Sequence, residues 1–198
     1  TPTVISPASG RGINVKAQTV ANFNGFTVEG MDILMNDASL ALQSNSATNN
    51  GFDGSNYTYS DLYIDMQGNA QSAIGLFDVQ NVTLNNVTVA NSGRTDGGAI
   101  EMVGVQGFQM NGGRLSGNEI GAKIFSANGY ESNGALSFNG VEFANNSSQV
   151  ETDDPGLLNA SVTLADNSFD RAVYVTDSNV DQGNIWSSIQ DGVDASQS

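Results

Sequence analysis

Val82-Thr-Leu84-Asn-Asn-Val87-Thr-Val89 reads as two short strands joined by a bend. Apolar residues alternate with polar ones on each side of Asn85-Asn86, which is the period-two pattern of a half-buried β-strand. The phase breaks at the dipeptide, so both apolar sets face one interior only if the chain turns there. The pattern recurs. Phe26-Thr-Val28-Glu-Gly-Met31-Asp-Ile33 and Tyr57-Thr-Tyr59-Ser-Asp-Leu62-Tyr-Ile64 precede it. Phe108-Gln-Met110-Asn-Gly-Gly113-Arg-Leu115, Leu136-Ser-Phe138-Asn-Gly-Val141-Glu-Phe143 and Val162-Thr-Leu164-Ala-Asp-Asn167-Ser-Phe169 follow. Successive copies start 31, 25, 26, 28 and 26 residues apart, and a period in the range of about 20–50 residues marks stacked repeats.

The second residue of the central dipeptide is Gly30, Asp61, Asn86, Gly112, Gly140 and Asp166 in turn. All three residue types tolerate a left-handed backbone, so one bend is repeated six times. A third short apolar segment precedes each unit: Ile13 to Val15, Leu40 to Leu42, Ile74 to Leu76, Ile100 to Met102, Ile124 to Phe125, and Leu157 to Leu158. A seventh, Val173 to Val175, follows the last. Three strands and one invariant bend per repeat close the chain into a coil that stacks on the next. The fold expected is all-β, a right-handed parallel β-helix solenoid of about seven three-strand coils. Residues 13–182 form the solenoid, 1–12 an N-terminal cap, and 183–198 a C-terminal cap and polar tail. Ile185-Trp186 and Ile189 are the candidates to close the last coil, since an uncovered end exposes strand edges that invite pairing with another chain.

Composition narrows the chemistry. The 198 residues contain no Cys and no His, which excludes disulfide frameworks, thiolate zinc sites and His-dependent catalytic triads. Six Lys and Arg against 21 Asp and Glu give a net charge of −15, the wrong sign for nucleic acid or an anionic membrane surface. No apolar run approaches the roughly 18 residues of a membrane-spanning helix. The wealth of Asn, Ser, Gly and Thr and the opening Thr1 fit a secreted or surface-displayed protein, processed or excised from a longer one.

The strands around Asn85-Asn86, Asn111-Gly112 and Asn139-Gly140 resemble the pectate-lyase-like superfamily of right-handed β-helices over residues 13–182. In that family the bend between the second and third strands often carries an Asn ladder, which Asn85, Asn111 and Asn139 match and Glu29, Ser60 and Ala165 do not. The resemblance implies an outer strand face that holds polysaccharide. Stacking the first strands sets Glu101 beside Lys123, and the connections bring in Arg94, Asp96 and Glu119. Acidic-sugar lyases of similar fold use a Lys or Arg base with carboxylate-bound Ca²⁺, so Lys123, Arg94 and Glu101 are the candidate catalytic residues, and Asp96 and Glu119 candidate ligand-binding ones. Ion pairing on a solvated face accounts for the same residues without catalysis. The polygalacturonase and epimerase signatures, both His-dependent, are missing.

No cofactor is required. A Ca²⁺ site is conceivable at Glu151, Asp153 and Asp154, or at Asp177, Asp181, Asp191 and Asp194, although solvated acidic loops read the same way. Two longer connections, Ser44 to Asn56 and Ser126 to Gly134, leave the first strand on one side, so Phe52, Phe77 and Tyr130 could offer ring faces to sugars. The leading expectation is a carbohydrate- or surface-binding, adhesin-like module whose partner is a polysaccharide or cell-surface glycan. Its rivals are an acidic-polysaccharide lyase and a structural stalk or fibre subunit that associates end to end.

Overall fold

The computed structural model describes residues 3–7, 11–16, 23–35, 41–45, 54–152, 162–170, 173–174 and 185–186. These form a parallel β-solenoid with no helix. Its strands stack as three ladders. The first consists of β2 (Ile13–Lys16), β4 (Leu42–Asn45), the opening of β6 (Ile74–Ala90), β7 (Ile100–Gln106), β9 (Ile120–Phe125) and β12 (Ser148–Thr152). The second uses the first halves of β3 (Phe23–Leu34) and β5 (Gly54–Asp65), the middle of β6, the first half of β8 (Phe108–Ser116), β10 (Leu136–Asn139) and β13 (Val162–Ala165). The third begins with β1 (Thr3–Ile5), continues through the second halves of β3, β5, β6 and β8, and ends with β11 (Glu142–Ala144) and β14 (Ser168–Phe169). A separate parallel pair joins β15 (Val173–Tyr174) to β16 (Ile185–Trp186).

The described residues make about five turns rather than the seven counted from the repeats, because parts of the first and last repeats lie outside them. In the N-terminal segment Thr3 to Ile5 pair in parallel with Met31 to Ile33 and form a further rung of the third ladder.

The repeated bend is left-handed at every copy. Gly30, Gly112 and Gly140 each have φ of 66°, and Asp61, Asn86 and Asp166 have φ of 52°, 51° and 53°. A left-handed residue costs an ordinary L-amino acid about 1–2 kcal/mol, which is why only Gly, Asn and Asp occupy the position. Asn86 Nδ2 also donates to Asp61 Oδ1 of the preceding rung at 2.8 Å. Beside this bend Glu29, Ser60, Asn85, Asn111, Asn139 and Ala165 stack in register. Asn111 Nδ2 donates to Asn85 Oδ1 at 3.1 Å, and Asn85 Nδ2 to Ser60 Oγ at 3.4 Å, so the ladder extends past its asparagines.

Inward residues form one continuous core. Tyr57, Val82, Leu84, Met110, Leu136 and Phe138 are all at most 1% exposed, and full burial of such side chains contributes about 1.5–3 kcal/mol each. Toward the C-terminal side the filling is aromatic: Phe138 lies 5.4 Å from Phe108 and 5.8 Å from Phe143, and Phe143 stacks on Phe169 at 4.8 Å. Gly113 occupies the inward slot that Val87 fills one rung earlier. A Cβ there would meet Val87 O at 2.2 Å, so the backbone of the neighbouring rung demands glycine. The three strands of a turn need not be separate, since β6 runs unbroken through all three ladders with Asp78, Asn81 and Asn86 left-handed along the way.

A second ladder, of buried amides, turns the corner from the third strand to the next turn's first. Asn118 Oδ1 accepts Ser92 N at 2.9 Å, Asn146 Oδ1 accepts Asn118 N at 3.0 Å, and Asn146 Nδ2 donates to Leu115 O at 2.9 Å. These amides satisfy main-chain groups that the bend would otherwise bury unpaired. Among the described residues no helix is long and apolar enough to cross a membrane.

Candidate functional site

Along the first ladder Ile74, Ile100, Ala122 and Val150 point inward and are fully buried. Strand alternation therefore turns Gly75, Glu101, Lys123 and Glu151 outward in a single column, in register Gly75 to Glu101, Glu101 to Lys123, and Lys123 to Glu151. Glu101 and Lys123 are thus rung neighbours, and the strand opens before the apolar segment Ile124 to Phe125, whose Ile124 pairs with Met102. The ion pair forms on the other side: Lys123 Nζ lies 3.5 Å from Glu151 Oε2, both side chains being 18% exposed. Lys123 Nζ also stands 5.1 Å from the centre of the Phe125 ring, within cation–π range.

Glu101 is held from the preceding connection. Ser72 Oγ donates to Glu101 Oε2 at 2.9 Å, and Arg94 Nη2 lies 4.0 Å from Glu101 Oε1. Arg94 also pairs with Asp96 and donates to Gln71 Oε1 at 3.3 Å. Two adjacent glycines allow this packing. A Cβ on Gly97 would lie 2.6 Å from Arg94 Nε, and one on Gly98 would lie 2.9 Å from Lys123 N. Ser72, Gln71 and the Gly97-Gly98 pair were not singled out from the sequence; the glycine doublet was the available signal. The column with its flanking loop carries two cations and three carboxylates, and each cation already has an acid partner.

Phe77, Val103 and Phe125 form the next outward column. Tyr130 reaches it from the connection after β9, its ring centre 6.2 Å from that of Phe77 at an interplanar angle of 47°. Beside Phe77 the carboxylate of Asp78 is 1% exposed and accepts Glu131 N at 2.9 Å. Burial pushes the Asp78 carboxyl above its ordinary value; the Glu131 amide opposes that shift and the Glu131 charge adds to it.

Glu119 lies on the connection one rung on from Arg94, its amide donating to Ser92 O at 2.9 Å. It lines a shallow cleft of about 510 Å³ with Asp65, Gln67, Asn91, Ser92 and Gly93, the last adjoining Arg94 in the chain. Of the five ionisable residues expected in one groove, Arg94, Asp96, Glu101 and Lys123 share the column and its flanking loop with Glu151, and Glu119 lies on the adjoining connection. Asp153 and Asp154, grouped with Glu151 as metal ligands, lie outside the described residues, as do Phe52 and the C-terminal aspartates. Among the described residues no three acidic groups converge as a cation site would require.

Compared with protein-family models, curated proteins and solved structures, the chain matches none. What the site can do rests on its own chemistry. Paired carboxylates and amides offer hydrogen bonds to hydroxyl groups, and the rings beside them offer apolar faces. A polyanion would meet more acid than base.

Proposed function

We propose that this chain is a secreted or surface-displayed β-solenoid module that binds neutral carbohydrate, in an adhesin-like role, along the outer face of its first ladder. The observation that carries this reading is the column Glu101–Lys123–Glu151, with its Lys123–Glu151 ion pair, running beside the Phe77–Tyr130 ring pair. Sugars present C–H faces to aromatic rings and hydroxyls to carboxylates, and this surface places both kinds of group on adjacent outward columns. The resemblance of the repeat to pectate-lyase-like solenoids, whose outer face holds polysaccharide, supports the same choice of face.

A lyase of acidic polysaccharide is the second reading, favoured by the presence of Arg94 and Lys123 among carboxylates. It needs a cation to offset Asp96, Glu101 and Glu151 before a uronate could approach. One experiment separates the two. The purified protein is run against soluble xyloglucan, galactomannan, polygalacturonate and alginate, with and without Ca²⁺, while retention and unsaturated products are recorded together. Binding of neutral polymers without products, weakened about tenfold by Tyr130→Ala through loss of ring contact, is the expected result. Unsaturated products from polygalacturonate or alginate that vanish in Lys123→Ala would replace this reading with the lyase.

A further inference from the structure

The connection after β9 does not simply bulge into solvent. It turns back across two rungs, so that Glu131 N reaches the carboxylate of Asp78, 53 residues earlier in the chain. Its far end is tied as well: Asn133 Oδ1 accepts Val105 N at 2.8 Å, Gly134 N donates to Val105 O at 2.8 Å, and Asn133 Nδ2 donates to Phe125 O. Tyr130, between the turn at Ala127 and these ties, is thereby carried onto Phe77. Gly104 makes the crossing possible. A Cβ at that position would lie 2.2 Å from Asp78 Oδ1 and within 3.2 Å of Glu131 N and O, and its φ of 65° suits glycine.

We infer that Asp78 is a positioning residue for the carbohydrate face: its carboxylate pins the strap 126–134 through the Glu131 amide and so fixes Tyr130 against Phe77. This inference rests on the carbohydrate-binding reading above. Asp78 lies under the strap and acts through Tyr130 without touching the ligand. Its own left-handed backbone, φ 48°, is one that Asn and Gly also adopt. The side chain can therefore be changed while the turn is kept.

The test uses the full chain as Asp78→Gly, Asp78→Asn and Gly104→Ala, with amide exchange at Glu131, the Tyr130–Phe77 nuclear Overhauser contact, and retention on xyloglucan and galactomannan. Asp78→Gly is expected to speed exchange at Glu131 about tenfold, the loss of one hydrogen bond to a charged acceptor, and to weaken retention by a similar factor. Asp78→Asn keeps an acceptor oxygen and restores both. Gly104→Ala releases the strap by a second route. An Asp78→Gly protein with unchanged protection and ring contact overturns the inference, as does one whose strap is released while retention holds. If the wild type binds neither polymer yet its strap responds as described, the carbohydrate reading falls and the pin stands.

Discussion

Asn118 Nδ2 donates to Asn146 Oδ1 at 2.9 Å across one rung, with both residues at most 2% exposed. The same Asn146 oxygen accepts the Asn118 amide, and its nitrogen serves Leu115 O and Gln149 Oε1. Replacing Asn146 by Ala strands several buried polar groups at once. The expected loss is about 3–4 kcal/mol, toward the severe end for one substitution. Urea unfolding of Asn146→Ala checks it, and a loss under about 1 kcal/mol would show that the ladder is not a structural tie.

Gly112 and Gly113 are neighbours with opposite tolerances. Nothing lies within 4 Å of a Cβ on Gly112, whereas one on Gly113 meets Val87 O at 2.2 Å and Val87 N at 2.6 Å. Gly112→Asn, which copies Asn86 at the equivalent bend, should change stability by less than about 1 kcal/mol. Gly113→Ala should cost more than about 3 kcal/mol because rung must separate from rung. Thermal melts of the two variants decide it; equal effects would contradict the stacking.

Tyr59 is fully buried and shares a 2.6 Å hydrogen bond with Ser44 Oγ. Burial pushes its phenol up to about 12 from an ordinary 10; the Ser44 bond opposes the rise and Tyr57 adds to it. Between those values the unfolded chain releases the proton and the folded chain keeps it, so stability that is whole below pH 10 is lost as pH rises toward 12. The loss from this residue is roughly 2–3 kcal/mol. Tyr57 and Tyr63 are also raised, so Tyr59→Phe should reduce the alkaline slope of urea stability without abolishing it. An unaltered slope would assign the effect to other groups.

Lys123 and Glu151 provide a test of the outward column itself. Both are mostly covered, so their pairing should exceed that of a freely solvated ion pair, at about 1–2 kcal/mol of coupling in a cycle of Lys123→Met, Glu151→Gln and the double variant. Coupling near zero at moderate salt would mark the pair as mere surface charge.

What could be read from the sequence was whatever depends on local pattern. The six left-handed bends were legible because their backbone admits few residue types, and the register of the second and third ladders followed from them; the first ladder did not, since Ile100 pairs with Ala122 and not with Ile124, and Ser148–Thr152 adds a rung that no apolar segment marked. The buried ladder of Ser92, Asn118 and Asn146 was not, because polar residues at a corner look like any solvated loop until the chain folds over them. The doublets Asn91-Ser92, Gly117-Asn118 and Asn145-Asn146 were its trace. Nor could local pattern place Glu131 on Asp78, since that depends on where a connection lands after leaving its strand.

The corner between the first and second ladders is passed by β6 with no loop at all, yet one turn of the same solenoid spends residues 126–135 on it between β9 and β10. Both solutions leave the rungs in register. Such a corner is open to inheritance by insertion: a descendant can lengthen, shorten or exchange the segment there while every rung keeps its partners. The side chains borne by such connections and the scaffold beneath them are then free to change at different rates.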